Sequence, residues 1–200
     1  GGLALVGGGF PSGFSSSTVV AVDLAPPHAA TERARGFGFS ADMFHDAARD
    51  ETLVLDFGAS AVTAICRRLA VNGTKVVANC LPGYEKKDEW IGRMRTEGAN
   101  VYAAEGNVED YESCADMMYR IRSTIGPIDV LVNNAGITRD GVFKRMSPND
   151  WYAVINTNLN SVFNVTRQVI EGMMERGWGR IVNISSVNAL TGQFGQTNYS

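Results

Sequence analysis

An α/β fold built around a parallel sheet is what this sequence predicts, and three observations carry the prediction. From about residue 51, short apolar runs alternate with longer amphipathic ones, the rhythm of strand–helix–strand units. The strand-like runs are apolar at consecutive positions, as in a sheet covered on both faces. Small or amide residues follow several of these runs directly, and ligands of such sheets sit beyond the carboxyl ends of the strands.

Residues 1–50 stand apart. Eight glycines, three prolines and Ser15-Ser16-Ser17 interrupt any period. Leu3 to Val6, followed by Gly7-Gly8-Gly9, hints at a strand entering a phosphate loop. The next apolar run, Val19 to Leu24, comes too soon for an intervening helix. The expectation is therefore an irregular, non-native leader, with the domain proper over 51–200. Thr52 to Leu55 reads as a buried strand. Ser60 to Val71 reads as a helix with Val62, Ile65 and Leu69 on one face, closed by Gly73. Lys75 to Asn79 is the next strand. A charged helix over 85–96 buries Trp90, Ile91 and Met94, and Val101 to Ala104 follows as a strand. Asp110 caps a helix with Met117, Met118, Ile121 and Ile125 inward.

Ile128 to Val132 is the fourth strand of this series. Ser147, Pro148 and Asp150 mark a helix start. Trp151, Ile155, Asn158, Val162, Val165, Val169 and Met173 then recur every three or four residues, which predicts one long helix ending at Gly177. Arg180 to Ile184 is the last strand.

Composition narrows the function classes. The 200 residues carry a net charge of −3 with no Lys/Arg cluster, which argues against a nucleic-acid surface. No run of eighteen apolar residues spans a membrane, and no export signal is legible. Cys66, Cys80 and Cys114 are odd in number and lack metal-ligand spacing. They read as reduced and mostly buried, in a cytoplasmic protein with no metal site.

The chemistry concentrates after the strands. Ser185-Ser186 closes the last one, and Tyr199 follows Ser186 after twelve intervening residues. A phenol can give a proton to a carbonyl oxygen while a serine hydroxyl holds that oxygen. Asn133-Asn134-Ala135-Gly136 supplies small side chains that let a flat cofactor approach the backbone, and amides that can tie strand ends. No acid follows the strand at Asn79-Cys80-Leu81, while Lys86 and Lys87 lie a few residues on. A ribose 2′-phosphate is attracted by a lysine and repelled by an acid, so NADPH fits better than NADH.

With Asn-Asn-Ala-Gly at 133–136, Asn158-Leu159 on the long helix, Ser186 and Tyr199, the chain from about Thr63 onward resembles the short-chain dehydrogenase/reductase family. The resemblance implies a Rossmann-type doubly wound parallel sheet, incomplete at the C-terminus. Gly136-Ile137-Thr138-Arg139-Asp140, Arg176-Gly177-Trp178-Gly179-Arg180 and the stretch Gly192 to Ser200 bring it nearest to members that reduce acetoacetyl-CoA with NADPH in polyhydroxybutyrate synthesis. Members acting on 3-oxoacyl carrier-protein thioesters are the near competitors.

The resemblance makes Tyr199 the proton donor, Ser186 the holder of the carbonyl oxygen, and Asn158 the site of a relay water. It puts Asp140, Gln193, Phe194 and Gln196 against an acyl-CoA thioester. Asn107 and Val108 would lie beside the adenine, and Asn134, Ala135, Gly136, Ile137 and Thr138 beside the ribose and nicotinamide. It also implies a homotetramer.

Two departures shape the expectations. The family's glycine-rich loop is replaced by Asp56 to Val62, in which Gly58 is the lone glycine, a remnant of a phosphate-binding turn. The family's lysine, which follows the tyrosine after three residues, would lie past Ser200. The 200-residue chain is thus expected to be inactive and its parent to be a reductase. A non-catalytic member serving as a binding or assembly module is the reading from a different class.

Overall fold

The computed structural model describes residues 75–200 in full and, as backbone strands, residues 4–6 and 17–23. The expected strand at 52–55, the helix at 60–71, the loop with Gly58, and Cys66 lie outside the described residues.

The strands are β1 (Ala4–Val6), β2 (Ser17–Asp23), β3 (Val76–Cys80), β4 (Val101–Glu105), β5 (Val130–Asn133) and β6 (Arg180–Ser186). The helices are α1 (Lys87–Thr96), α2 (Tyr111–Thr124), α3 (Pro148–Ile155), α4 (Ser161–Glu175) and the single turn α5 (Asn188–Thr191). The sheet runs β2-β6-β5-β1-β3-β4. Five strands are parallel, and β2 lies antiparallel on β6, with Ser17 opposite Ser186. This is a Rossmann-type α/β sheet, as the sequence predicted, with an antiparallel strand that it did not predict. Both β1 and β2 come from the stretch read as irregular leader. Within the run Leu3 to Val6, which hints at a strand, Ala4–Val6 is a central strand, pairing β3 on one side and β5 on the other. Three residues carry no periodicity of their own, and their place is set by the two neighbours they bond.

The core follows the apolar runs. Val76, Val77, Ala78, Val130, Leu131 and Val132 are fully buried, and Met94, Met117, Met118 and Met173 close over the sheet from the helices. Burial of each such side chain is worth roughly 1.5–3 kcal/mol. Helix α1 buries Trp90, Ile91 and Met94, and α2 buries Met117, Met118 and Ile121. Asp110 caps α2 by accepting from the Ser113 N–H, and Ser147 caps α3 by accepting from that of Asp150, each as expected. At the β4 edge of the described sheet, Arg95 donates twice to the Val101 carbonyl and Arg120 donates to that of Glu105.

The long helix predicted to reach Gly177 is interrupted. Residues Asn156–Asn160 form a π-helical segment between α3 and α4. Such a segment inserts one residue into the helical repeat. In α4 the buried face falls on Val165, Val169 and Met173, as expected. Upstream the buried residues are Val154 in α3, Thr157 within the π-helical segment and Ser161 at the start of α4, not Ile155, Asn158 and Val162. The register is displaced by the one added residue.

Beneath the sheet, the buried Asp129 carboxylate accepts from Arg176, with Nε and a terminal nitrogen both 3.0 Å from Oδ1. The same guanidinium donates to the Ile128 carbonyl. This pair joins the end of α4 to the start of β5. Among the described residues no helix is long and apolar enough to cross a membrane.

Candidate active site

The carboxyl ends of β3, β4, β5 and β6 lie along one rim of the sheet, and most of the residues singled out above fall there. Side-chain amides fasten this rim. Asn133, at the end of β5, donates to Asn183 Oδ1 of β6 at 2.8 Å and to Thr166 of α4 at 3.1 Å. Asn79, near the end of β3, is buried and donates to the carbonyl of Gly106 at 2.9 Å.

After β5 the chain passes through Asn134, Ala135, Gly136, Ile137 and Thr138, all half-buried. Asn158 grips this segment from the π-helical turn. Its Nδ2 donates to the Ile137 carbonyl at 3.0 Å, and its Oδ1 accepts from the Ile137 N–H at 2.8 Å. Both ends of the amide are therefore occupied by protein. The π-helical turn explains the reach, because π-helical insertions displace side chains from the regular face and recur at functional sites.

Ser186 ends β6 and is buried. Its Oγ accepts from the Asn188 N–H at 3.2 Å, so its own O–H remains available to donate. The Asn188 side chain donates to Gln196 Oε1 at 2.8 Å, and Gln196 Nε2 donates to Asp140 Oδ2 at 3.0 Å. The Tyr199 N–H in turn donates to the Gln196 carbonyl at 3.0 Å. One hydrogen-bonded path thus connects Ser186, Gln196, Asp140 and the backbone of Tyr199. The Tyr199 side chain is half-buried, and its hydroxyl has no hydrogen-bond partner among the described residues. Gln193 is exposed, and Phe194 is 87% exposed, so a packing role for that ring is set aside.

Asn107 and Val108 follow β4. Asn107 Oδ1 accepts from the Glu109 N–H, while the Val108 side chain is buried in the core and its carbonyl accepts from Asn164. Ahead of them Gly106 passes so close to α2 that a Cβ would lie 2.7 Å from Met117 Sδ. The two lysines separate in role. Lys87 pairs with Glu105 at the end of β4, whereas the Lys86 side chain is exposed without a partner among the described residues. The Lys87 ammonium holds the Glu105 carboxyl below the usual range, and Glu105 holds Lys87 above its own. Lys86, Asn107 and Val108 lie on the β3–β4 side of the rim, outside the network around Ser186.

Sequence reasoning missed Asn188 and Asn198. The latter is buried, and its Nδ2 donates to the carbonyls of Arg139 at 3.1 Å and Asp150 at 3.2 Å. Asparagine in a loop reads as an ordinary turn former, which hid both. Adjacency to Tyr199, and to Ser186 two residues before, was the signal present.

Burial pushes the Cys80 thiol up to about 12, with the Glu105 carboxylate adding to the effect, and burial likewise pushes Cys114 up to about 12. A thiol reacts as its thiolate. In a Cys66→Ser background at pH 8, native protein should therefore resist iodoacetamide, and denatured protein should take up two equivalents. Rapid labelling of the folded form, read by mass spectrometry, would contradict this burial.

A family model described as short chain dehydrogenase matches residues 58–200. An "Acetoacetyl-CoA reductase" of Cupriavidus necator is 56% identical over 138 residues, covering 69% of this chain and 56% of that protein. A "Nodulation protein G" of Azospirillum brasilense is 57% identical over 138 residues, again 69% of this chain and 56% of its own. Among solved structures, a single-residue variant of actinorhodin polyketide ketoreductase with NADPH superposes with a TM-score of 0.65 at 34% identity, over 68% of this chain and 52% of that one. The chain spans about half the length of the curated relatives it matches.

Proposed function

The chain belongs to the short-chain dehydrogenase family, and from that premise we propose that the whole protein reduces acetoacetyl-CoA to a 3-hydroxybutyryl thioester with NADPH. The observation that carries the reading is the hydrogen-bonded path from Ser186 through Asn188 and Gln196 to Asp140 and the Tyr199 backbone.

The residues present fit a nicotinamide dinucleotide carrying a 2′-phosphate. No carboxylate directly follows β3, and Glu105, at the end of the neighbouring strand, is paired with Lys87. Lys86 is left as the cation for the phosphate. Asn107 and Val108 are assigned to the adenine side, and Asn134, Ala135, Gly136, Ile137 and Thr138 to the ribose and nicotinamide. Gly58 is assigned to the pyrophosphate. The cofactor, when bound, supplies a hydride to the ketone carbon.

The protein's own groups handle the oxygen. Tyr199 donates a proton to it, and Ser186, whose acceptor side is taken by the Asn188 N–H, donates a hydrogen bond. Asn158 acts on Ile137 in this reading. One N–H of its Nδ2 is given to the Ile137 carbonyl, and the second is left to hold a relay water. Asp140, Gln193, Phe194 and Gln196 receive the acyl-CoA. The polar bridge of Gln196 and Asp140 faces the thioester end, and the exposed Phe194 ring the apolar chain.

The test is NADPH consumption by the whole protein with acetoacetyl-CoA, with the matching carrier-protein thioester, and with NADH in place of NADPH. Faster turnover of acetoacetyl-CoA with NADPH is expected. Preference for the carrier-protein thioester would reassign the substrate, and no turnover of either thioester would end the proposal.

A further inference from the structure

Three rungs join the segment after β5 to the segment before Tyr199, in order. Asn198 Nδ2 donates to the Arg139 carbonyl at 3.1 Å, Gln196 Nε2 donates to Asp140 Oδ2 at 3.0 Å, and the Gly141 N–H donates to the Gly195 carbonyl at 2.8 Å. The Asn198 rung differs from the others. That residue is only 6% exposed, and its amide nitrogen also donates to the Asp150 carbonyl in the capped first turn of α3. It is thus the point where three separate stretches meet.

Its Oδ1 is buried with no hydrogen-bond partner among the described residues, an arrangement that costs stability. A smaller apolar residue would avoid that cost. What only the amide supplies is two donors directed at two carbonyls, in the residue next to Tyr199.

We propose that Asn198 is the positioning residue for Tyr199, fixing the phenol relative to the segment after β5 by tying Arg139 and Asp150 to the tyrosine's own turn. This rests on the reading of Tyr199 as proton donor given above. The role is distinct from substrate contact, because both donors of the amide are engaged by protein. Misplacing a reacting group by about 1 Å can cost a hundredfold in rate. Loss of the clasp should therefore appear in kcat and leave cofactor binding alone.

The experiment compares Asn198→Ala, Tyr199→Phe and the double variant in the whole protein, with thermal melting to confirm that each is folded. Asn198→Ala is expected to lower kcat about a hundredfold while the dissociation constant of NADPH, titrated by fluorescence, stays within about twofold of wild type. The double variant is expected to be no slower than Tyr199→Phe alone, since a displaced phenol and an absent one fail at the same step. If Asn198→Ala does not fold, Asn198→Ser carries the same expectation. A kcat within about threefold of wild type, or a double variant slower by the product of the two single effects, overturns the positioning role. If Tyr199→Phe keeps full activity, the functional reading itself fails. If it is slow while Asn198→Ala is normal, only the inference about Asn198 falls.

Discussion

Replacing Tyr199 by Phe in the whole protein is expected to lower kcat about a thousandfold, in the middle of the range for loss of a general acid. The phenol is half-buried and its hydroxyl is unclaimed among the described residues, so its removal leaves no donor stranded and no new cavity of consequence. The melting temperature should scarcely move. Ser186→Ala makes the contrast: it should slow the reaction less, and the Asn188 N–H would lose its acceptor. Steady-state kinetics with acetoacetyl-CoA read both. Retention of more than a tenth of the activity in Tyr199→Phe would assign proton donation elsewhere.

The second large effect concerns stability. Arg176→Met removes the guanidinium that meets the Asp129 carboxylate, whose side chain is 3% exposed. Stripping one partner from a buried ion pair leaves a charge without compensation, at a cost of about 3–5 kcal/mol. Asp129 has a further interaction, so about 3 kcal/mol is expected, a fall of roughly 10 °C in melting temperature for a chain of this size. The Ile128 carbonyl also loses its donor. Arg176→Met combined with Asp129→Leu should recover most of the loss, because an apolar pair of similar volume avoids desolvating either charge. Calorimetry decides. A single variant as stable as wild type would show that the pair contributes nothing.

Much of this fold was legible because its signals are local. Asp110 and Ser147 announce their helices by capping chemistry, and both caps are made. Val76 to Cys80 and Val130 to Val132 are buried through consecutive positions, as in a strand covered on both sides. What stayed hidden depends on partners far along the chain. Ala4–Val6 is a strand because β3 and β5 flank it, and Ser17–Asp23 because β6 offers it a full antiparallel ladder. The insertion at Asn156–Asn160 escaped for another reason. One extra residue shifts a helical face by a fraction of a turn, and Ile155, Asn158 and Val162 satisfy the unshifted pattern equally well.

The site divides in the same way. Ser186 and Tyr199 carry reactive groups whose spacing can be read directly. Asn188 and Asn198 act by holding other residues, and nothing in an asparagine's identity tells what it holds. Likewise the sequence singles out Lys86 beside a second lysine without a physical ground for the choice, and the Glu105 carboxylate now separates Lys87 from it.

The arginines bonded to β4 have a bearing on crowded solutions. An unguarded border strand invites another extended chain to dock by its main chain, the first step toward fibrous precipitates. Here the Val101 and Glu105 oxygens are already engaged by Arg95 and Arg120, and those bulky cations stand where a newcomer would have to lie. Self-templated growth from that flank is thereby discouraged at no expense to the rim that carries Ser186 and Tyr199.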